Sequence, residues 1–276
     1  MRRTSVGRFT ALGFTFDLDA PAPVHEALAE GLVDLRVPDG WFRYRARPPR
    51  LRVRARGDRF DVRLGADAEV LDVDAGDAVA AVLSCCNEAV SRVASVHHLV
   101  LHAGVVEVGG VAVALVGHSG TGKTTLTAAA VRRGHGFVAD ELGVVDDDMV
   151  TVAYHRPLGL RPGAVAALGL PASDSPAHRL VRPVAGSALG TLADRVPLAL
   201  VVLLGGDGEP GVATDVAPAR ALFELTNLTI GTEHVEPQTF ARLDRMVRAV
   251  PTVRMARARP DVLLDEIERV VRRVRV

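Results

Sequence analysis

Eight residues near the middle of the chain, Gly117-His118-Ser119-Gly120-Thr121-Gly122-Lys123-Thr124, match the pattern G-x-x-x-x-G-K-[ST] in full. An apolar run over 111–116 leads into them, and a helix-forming run starts at Lys123. Such a segment commits the chain to an α/β layout, because the loop works only where a buried strand delivers it to a helix N-terminus. Its glycines let successive N–H groups turn toward anionic oxygens, and the helix end adds partial positive charge. Lys123 is then placed to reach the β- and γ-phosphates of a nucleotide, and the Thr124 hydroxyl to meet Mg²⁺. The nucleotide-binding stretch runs through Gly117, His118, Ser119, Gly120, Thr121, Gly122, Lys123, Thr124 and Thr125. Unliganded, its lysine is expected to be solvated. Lys123 is also the only lysine among 33 basic side chains, all others being arginine. An ammonium is a compact point charge and a guanidinium a broad fork, so the lone lysine marks a place where the fork does not serve.

The 33 basic residues are balanced by 33 acidic ones, which argues against a nucleic-acid-coating protein, since that role needs a basic excess. With 276 residues and 48% hydrophobic side chains, the chain can bury a real core, as one large domain or as one domain with a small appendage. No stretch reaches the roughly 18 uninterrupted apolar residues of a membrane span, and the N-terminus carries no apolar signal block. The expectation is a soluble, cytoplasmic protein with neither nucleic acid nor membrane as partner. Cys85 and Cys86 are adjacent in an expected helix, where a mutual disulfide would be strained, and read as buried thiols.

Residues 13–75 read mostly as strand, with apolar–polar alternation over 41–45, 51–54 and 60–64 and a hairpin at Gly57-Asp58. The arginines in these strands fit a solvated sheet face. Apolar periodicity predicts helices over 23–35 and 76–95. From residue 98 the texture changes to short apolar runs over 99–101, 105–108, 111–116, 136–139 and 198–204, the pattern of strands buried on both faces. Helices are expected over 123–133, 217–229, 238–249 and 260–273, with an edge strand over 252–255. The reading is a small mixed α+β region over 1–97, a candidate for acceptor recognition, followed by an α/β domain over 98–276. Residues 171–195, rich in Pro, Ser and Gly, read as a long loop.

Chemistry beyond binding needs acids. The strand over 136–139 ends in Asp140-Glu141, two carboxylates delivered at the C-terminal edge of a parallel sheet beside the phosphate loop. One can hold the metal with Thr124, and the other can orient or deprotonate an incoming hydroxyl or water. The nearby run Asp146-Asp147-Asp148 reads as turn and solvent. Arg156 and Arg161 are candidates to clamp transferred phosphate or an acidic substrate, and Arg179, Arg182 and Arg195 to close over it. His97 reads as a strand-edge residue, and a metal site at His97 and His98 lacks a third ligand in the sequence.

These residues together resemble the HPr kinase/phosphorylase family, in particular its kinase domain and its shorter relatives. The resemblance rests on His102-Ala103-Gly104-Val105-Val106-Glu107-Val108-Gly109-Gly110, the phosphate loop, and Arg133-Gly134-His135-Gly136-Phe137-Val138-Ala139-Asp140-Glu141. His102 stands 21 residues before Lys123, and Glu141 stands 18 after it. The resemblance implies a P-loop kinase fold related to phosphoenolpyruvate carboxykinase, with ATP and Mg²⁺ as cofactors. It implies transfer of the γ-phosphoryl group to a hydroxyl, usually of serine. Carried over, Glu141 is the proton acceptor, His102 assists it and Thr124 binds Mg²⁺, beside the roles read above for Asp140 on the metal side and Lys123 on the phosphates. The match is specific over 98–145 and loosely patterned from 196 onward. Three departures stand out: the second acid is Glu where the family usually has Asp, the family's glutamate-containing signature is absent around 154–161, and residues 1–97 do not resemble its N-terminal domain. The first bears on the geometry of the base; the last two turn the expected acceptor away from the phosphocarrier protein, toward a hydroxyl-bearing peptide, protein or small metabolite, and relatives of this size include peptide-tailoring kinases. A nucleotide-dependent regulatory module and a phosphorylase or phosphatase acting on a phosphorylated partner stay open as alternatives, as does homo-oligomer formation.

Overall fold

The computed structural model describes residues 4–37, 48–64, 68–170, 180–181, 191–230 and 237–275. The strand expected over 41–45, Arg179, Arg182 and most of the 171–195 loop lie outside the described residues.

The chain opens with β1 (Thr4–Ala11), β2 (Phe14–Ala20) and helix α1 (Val24–Gly31), which a 3-10 turn (Val33–Leu35) follows. Next come β3 (Arg50–Arg56), β4 (Arg59–Leu64), β5 (Ala68–Val73) and the long helix α2 (Ala75–His97). The middle of the chain holds β6 (Leu99–Leu101), β7 (Ala103–Val108), β8 (Val111–Val116), α3 (Lys123–Arg132), β9 (Gly136–Ala139), β10 (Gly143–Val145) and β11 (Val150–Val152). The short elements β12 (Leu158–Gly159), α4 (Pro162–Ala167) and β13 (Leu180–Val181) precede the longest strand, β14 (Arg195–Leu204). β15 (Ala213–Val216), α5 (Pro218–Thr226), α6 (Pro237–Ala249), β16 (Thr252–Met255) and α7 (Pro260–Val274) complete the chain. Helices α4, α5 and α7 each start on proline, whose missing N–H costs nothing at a helix's first position.

Two compact units result: Met1–Val93 with Arg156–Arg182, and Ala94–His155 with Pro183–Val276. In the first, β1 to β5 form one sheet in sequence order, antiparallel except between β2 and β3. Leu51 and Val53 of β3 face the core while Arg50, Arg52 and Arg54 face solvent, the two-residue period of a half-buried strand. Cys85 and Cys86 are buried on α2 as free thiols. Among the described residues α2 is the one helix long and apolar enough on average to cross a membrane, and just over half of that stretch is buried within the protein.

The second unit is built on a mixed sheet in the order β6-β10-β11-β14-β8-β7-β9, with β16 also on β14 and β15 outside β16. Residues 252–255 therefore form an inner strand, parallel to β14 and antiparallel to β15, and the outer place falls to Ala213–Val216. The sheet also differs from a parallel one beside the loop: β8 and β9 run the same way, but β7 lies between them and is antiparallel to both. Ala112 to Val116 of β8 and Leu200 to Val202 of β14 are wholly buried, as their unbroken apolar runs require. Helix α3 packs on β7. A Cβ on Gly104 would fall 2.2 Å from the Thr127 Oγ1, so only glycine lets α3 sit this close. Helix α7 buries Leu263, Leu264, Ile267, Val270 and Val271, a stripe at helical spacing. Arg133, at the end of α3, binds Asp265 of α7 at 2.6 Å.

Candidate functional site

The 117–124 segment leaves β8 and turns into α3 through Gly120 (φ 85°) and Gly122 (φ 101°), left-handed positions that residues with a Cβ adopt only at a cost. Gly117 is needed for a second reason. A Cβ there would stand 2.9 Å from both the Leu204 carbonyl and the Thr121 Oγ1. The loop is braced from within: the Thr121 hydroxyl donates to the His118 carbonyl at 2.8 Å, and its N–H to the same oxygen at 3.3 Å. His118, Ser119 and Gly120 are exposed at its tip, and Thr121, Gly122, Thr124 and Thr125 are half-buried.

Lys123 departs from the expected solvated state. Only 6% exposed, it donates to the Gly117 carbonyl at 2.7 Å and the His118 carbonyl at 3.1 Å. Burial lowers the pKa of its ammonium, and the carboxylates of Glu141 and Asp140 pull in the opposite direction. The loop carbonyls that the glycines turn inward account for the burial, since they give the charge partners that solvent would otherwise supply.

Asp140 and Glu141 follow β9, and β-pairing explains their placement. Val105 stands opposite Ala139, and Leu101 opposite Gly143, so residues 102–104 face 140–142 across one antiparallel register. Ala103 in turn stands opposite Val116, the last residue before the loop. The start of β7, the end of β8 and the end of β9 thus share one edge, which brings His102, the loop and the two acids together. The ladder breaks at Glu141, whose backbone is left-handed (φ 72°). A non-glycine residue held there costs roughly 1–2 kcal/mol, and such outliers gather where a side chain must be aimed.

The acids differ in setting. Asp140 is 1% exposed and its Oδ2 accepts a 3.0 Å hydrogen bond from the Thr124 hydroxyl. Glu141 is about one-third exposed, and its Oε2 stands 3.4 Å from the Nδ1 of His102, which is exposed to the same degree. A buried carboxylate on a hydroxyl beside a helix N-terminus suits a hard cation, whereas a solvent-facing carboxylate beside an imidazole suits proton exchange. Thr124 and Asp140 fit magnesium as oxygen donors of the required hardness; the Asp140–Thr124 contact is the observation that carries this fit.

The remaining candidates disperse. Arg156 and Arg161 belong to the first unit, where Arg156 is buried and Arg161 is exposed at the start of α4. Arg195, expected over the substrate, opens β14 and binds Asp146 at 2.5 Å. Asp146 is no solvent-only turn residue: it closes the β10–β11 hairpin by accepting from the N–H groups of Val150 and Asp148. His97 is the last residue of α2 rather than a strand residue, and no group of three or more metal-ligating side chains occurs among the described residues.

Sequence reasoning missed one neighbour of the loop. Gly205-Gly206 follows β14, and a Cβ on Gly205 would touch the Thr121 Cγ2 at 3.8 Å. Behind this turn Arg254 of β16 reaches the Gly205 carbonyl and pairs with Glu224 of α5. Burial opposes the Glu224 charge, but Arg254 and Arg220 outweigh it and hold the carboxyl below its ordinary range. The signal was present as two glycines closing an apolar strand.

No family model and no curated protein matches the chain. Among solved structures, the HPr(Ser) kinase/phosphatase from Coxiella burnetii is a distant neighbour, with a TM-score of 0.34 and 15% sequence identity over 64% of this chain and 91% of that one.

Proposed function

We propose that the chain is an ATP-dependent phosphotransferase that moves the γ-phosphoryl group to a hydroxyl, of serine in a peptide or protein or of a small metabolite. One observation carries the reading: at the end of β8, a buried lysine, a hydroxyl–carboxylate contact and an imidazole–carboxylate contact meet around one glycine-rich loop. In this reading the N–H groups of the loop and the first turn of α3 bind the phosphates, and Lys123 moves from its loop carbonyls toward the β- and γ-oxygens. Thr124 and Asp140 hold the magnesium that accompanies the nucleotide, which spreads the charge of the phosphate oxygens when bound. The acceptor oxygen attacks the γ-phosphorus as the bond to the β–γ bridging oxygen breaks, and the hydroxyl proton passes to Glu141. His102 keeps that carboxylate oriented and supports its charge.

The spatial division of labour supports transfer over mere binding, because a nucleotide-holding module needs the loop and Asp140 but has no use for a second, solvent-facing acid aimed by a left-handed backbone. The test is incubation with γ-labelled ATP and hydroxyl-bearing peptides, including products of neighbouring genes. Label appearing in a peptide with the native chain and not with Glu141→Gln is expected. Nucleotide binding without transfer to any acceptor, unchanged in Glu141→Gln, would return the chain to a regulatory module.

A further inference from the structure

Arg156 is the one buried arginine among the described residues, and it differs from the half-buried and exposed arginines whose partners are known. Arg8 has Asp17, Arg133 has Asp265 and Glu268, Arg242 has Asp147, and Arg254 has Glu224. Arg156 is only 6% exposed, yet no carboxylate among the described residues pairs with it, and its buried Nε has no hydrogen-bond acceptor. A titratable group that senses its charge is the thiol of Cys86 on α2. Burial pushes that thiol far up, ahead of the repulsion from Cys85 and against the opposing pull of Arg156, so it stays neutral and supplies no counter-charge. A guanidinium does not shed its proton at any pH the fold meets, so it cannot escape the cost of burial in that way. An uncompensated buried charge is among the most destabilising features a core can hold. Beside the guanidinium, Gly159 of β12 presents no side chain; a Cβ there would lie 3.8 Å from Nη2.

We propose that Arg156 anchors an anion-binding site in the first unit, taking a ligand group with two adjacent oxygens, a carboxylate or a phosphate, that meets the guanidinium fork side by side. The inference stands apart from the kinase reading, since it uses no residue of the 117–124 loop or of the edge around it. Arg161, exposed two residues after Gly159, takes no part.

The experiment follows thermal melting during titration with inorganic phosphate and, separately, with succinate, at ionic strength held constant with sodium chloride. Lys123→Ala removes the phosphate response of the loop, and is expected to keep an anion-dependent rise in melting temperature that is due to Arg156. Arg156→Met is expected to need at least about tenfold more anion for the same rise, as fits the loss of a charge-assisted hydrogen bond. It is also expected to melt no lower than the native chain in anion-free buffer, because the uncompensated charge is gone. Its binding of Mg·ATP is expected to be unchanged, which keeps this outcome distinct from failure of the loop. Response to phosphate alone assigns a phosphate group, and response to succinate alone a carboxylate. The proposal is overturned if neither anion shifts Lys123→Ala, or if Arg156→Met responds like the native chain. Should Arg156→Met fail to fold, Arg156→Lys keeps the charge and loses the fork; an undiminished anion response in that variant overturns the proposal equally.

Discussion

The two ends of β10 carry nearly the same letters and stand among different partners. Before the strand stand Asp140-Glu141; after it stand Asp146-Asp147-Asp148. At the far end each of the first two acids is closed by arginine: Asp146 by Arg195, and Asp147 by Arg242 and Arg245. At the near end the partners are a lysine, a threonine hydroxyl and a histidine. A guanidinium holds a carboxylate in structure by charge and hydrogen bond together, whereas a hydroxyl, an ammonium or an imidazole leaves it able to exchange its partner for a metal, a phosphate or a proton. In the proposed reading, what separates a reactive acid from a scaffolding acid is therefore the side chain opposite it. In a chain whose basic residues are otherwise all arginine, the placement of the one lysine is part of that distinction.

The sharpest way to break the comparison is at Lys123. Lys123→Ala is expected to lower phosphoryl transfer on the order of 10³-fold, the upper range for removing one group that stabilises transition-state charge. Its melting temperature should move by no more than about 4 °C, because losing the two hydrogen bonds to Gly117 and His118 is offset by no longer burying an ammonium. Lys123→Arg should also lose most activity, since it converts the near end to the chemistry of the far end. Full activity in that variant, measured with γ-labelled ATP, would show that the lysine–arginine contrast has no functional content.

Glu141→Gln tests the acid itself. Transfer should fall by about 10²-fold or more while Mg·ATP affinity holds, the pattern of a lost general base. Asp140→Asn should instead weaken the dependence on magnesium, and Asp147→Asn, its counterpart at the far end, should leave transfer unchanged. Equal and mild effects at all three positions would erase the difference between the ends. His102→Ala should follow with a loss of at least about tenfold, at the low end of acid–base effects, with ATP affinity and melting temperature little altered. A His102→Ala chain that merely unfolds sooner would make the imidazole a structural residue.

How far this contrast could be read from the sequence depended on element length. Helices α2, α3, α6 and α7 repeat their apolar residues over several turns, and the runs of β8 and β14 are too long and too apolar for a surface position. By contrast β10 and β11 are three residues each and flank an acidic turn, so no period develops, and Asp146 looked like solvent. Strand order is not a local property: nothing in residues 103–108 says that they insert antiparallel between β8 and β9, although that insertion carries His102 to the acids. Likewise the left-handed backbone of Glu141 and the burial of Lys123 come from neighbours distant in sequence. The motif spacing located the loop; the partners that separate Asp140 from Asp146 became visible only in three dimensions.

The smallest effect belongs to the far end. Asp146→Asn keeps the size of the side chain but removes the charge that the N–H groups of Val150 and Asp148 and the Arg195 guanidinium gather around. Hydrogen bonds to a charged group contribute about 1.5–3 kcal/mol each at most, and Arg195 is largely exposed, so the expected loss of stability near neutral pH is about 1–2 kcal/mol. Phosphoryl transfer should not change. The pH dependence gives the sharper reading. Partial burial opposes the charge of Asp146, but the Val150 and Asp148 N–H groups and Arg195 outweigh it and hold the carboxyl below its ordinary range. A carboxyl depressed in the folded state contributes stability above the unfolded value, and that contribution is lost as pH falls through the folded one, because the unfolded chain takes up its proton first. Denaturation midpoints followed downward from pH 6 should therefore fall more steeply for the native chain than for Asp146→Asn, and the two curves should converge below the ordinary carboxylate range. Parallel curves would mean that Asp146 is solvated after all, and a loss of transfer in Asp146→Asn would mean that the two ends of β10 are not separate in function.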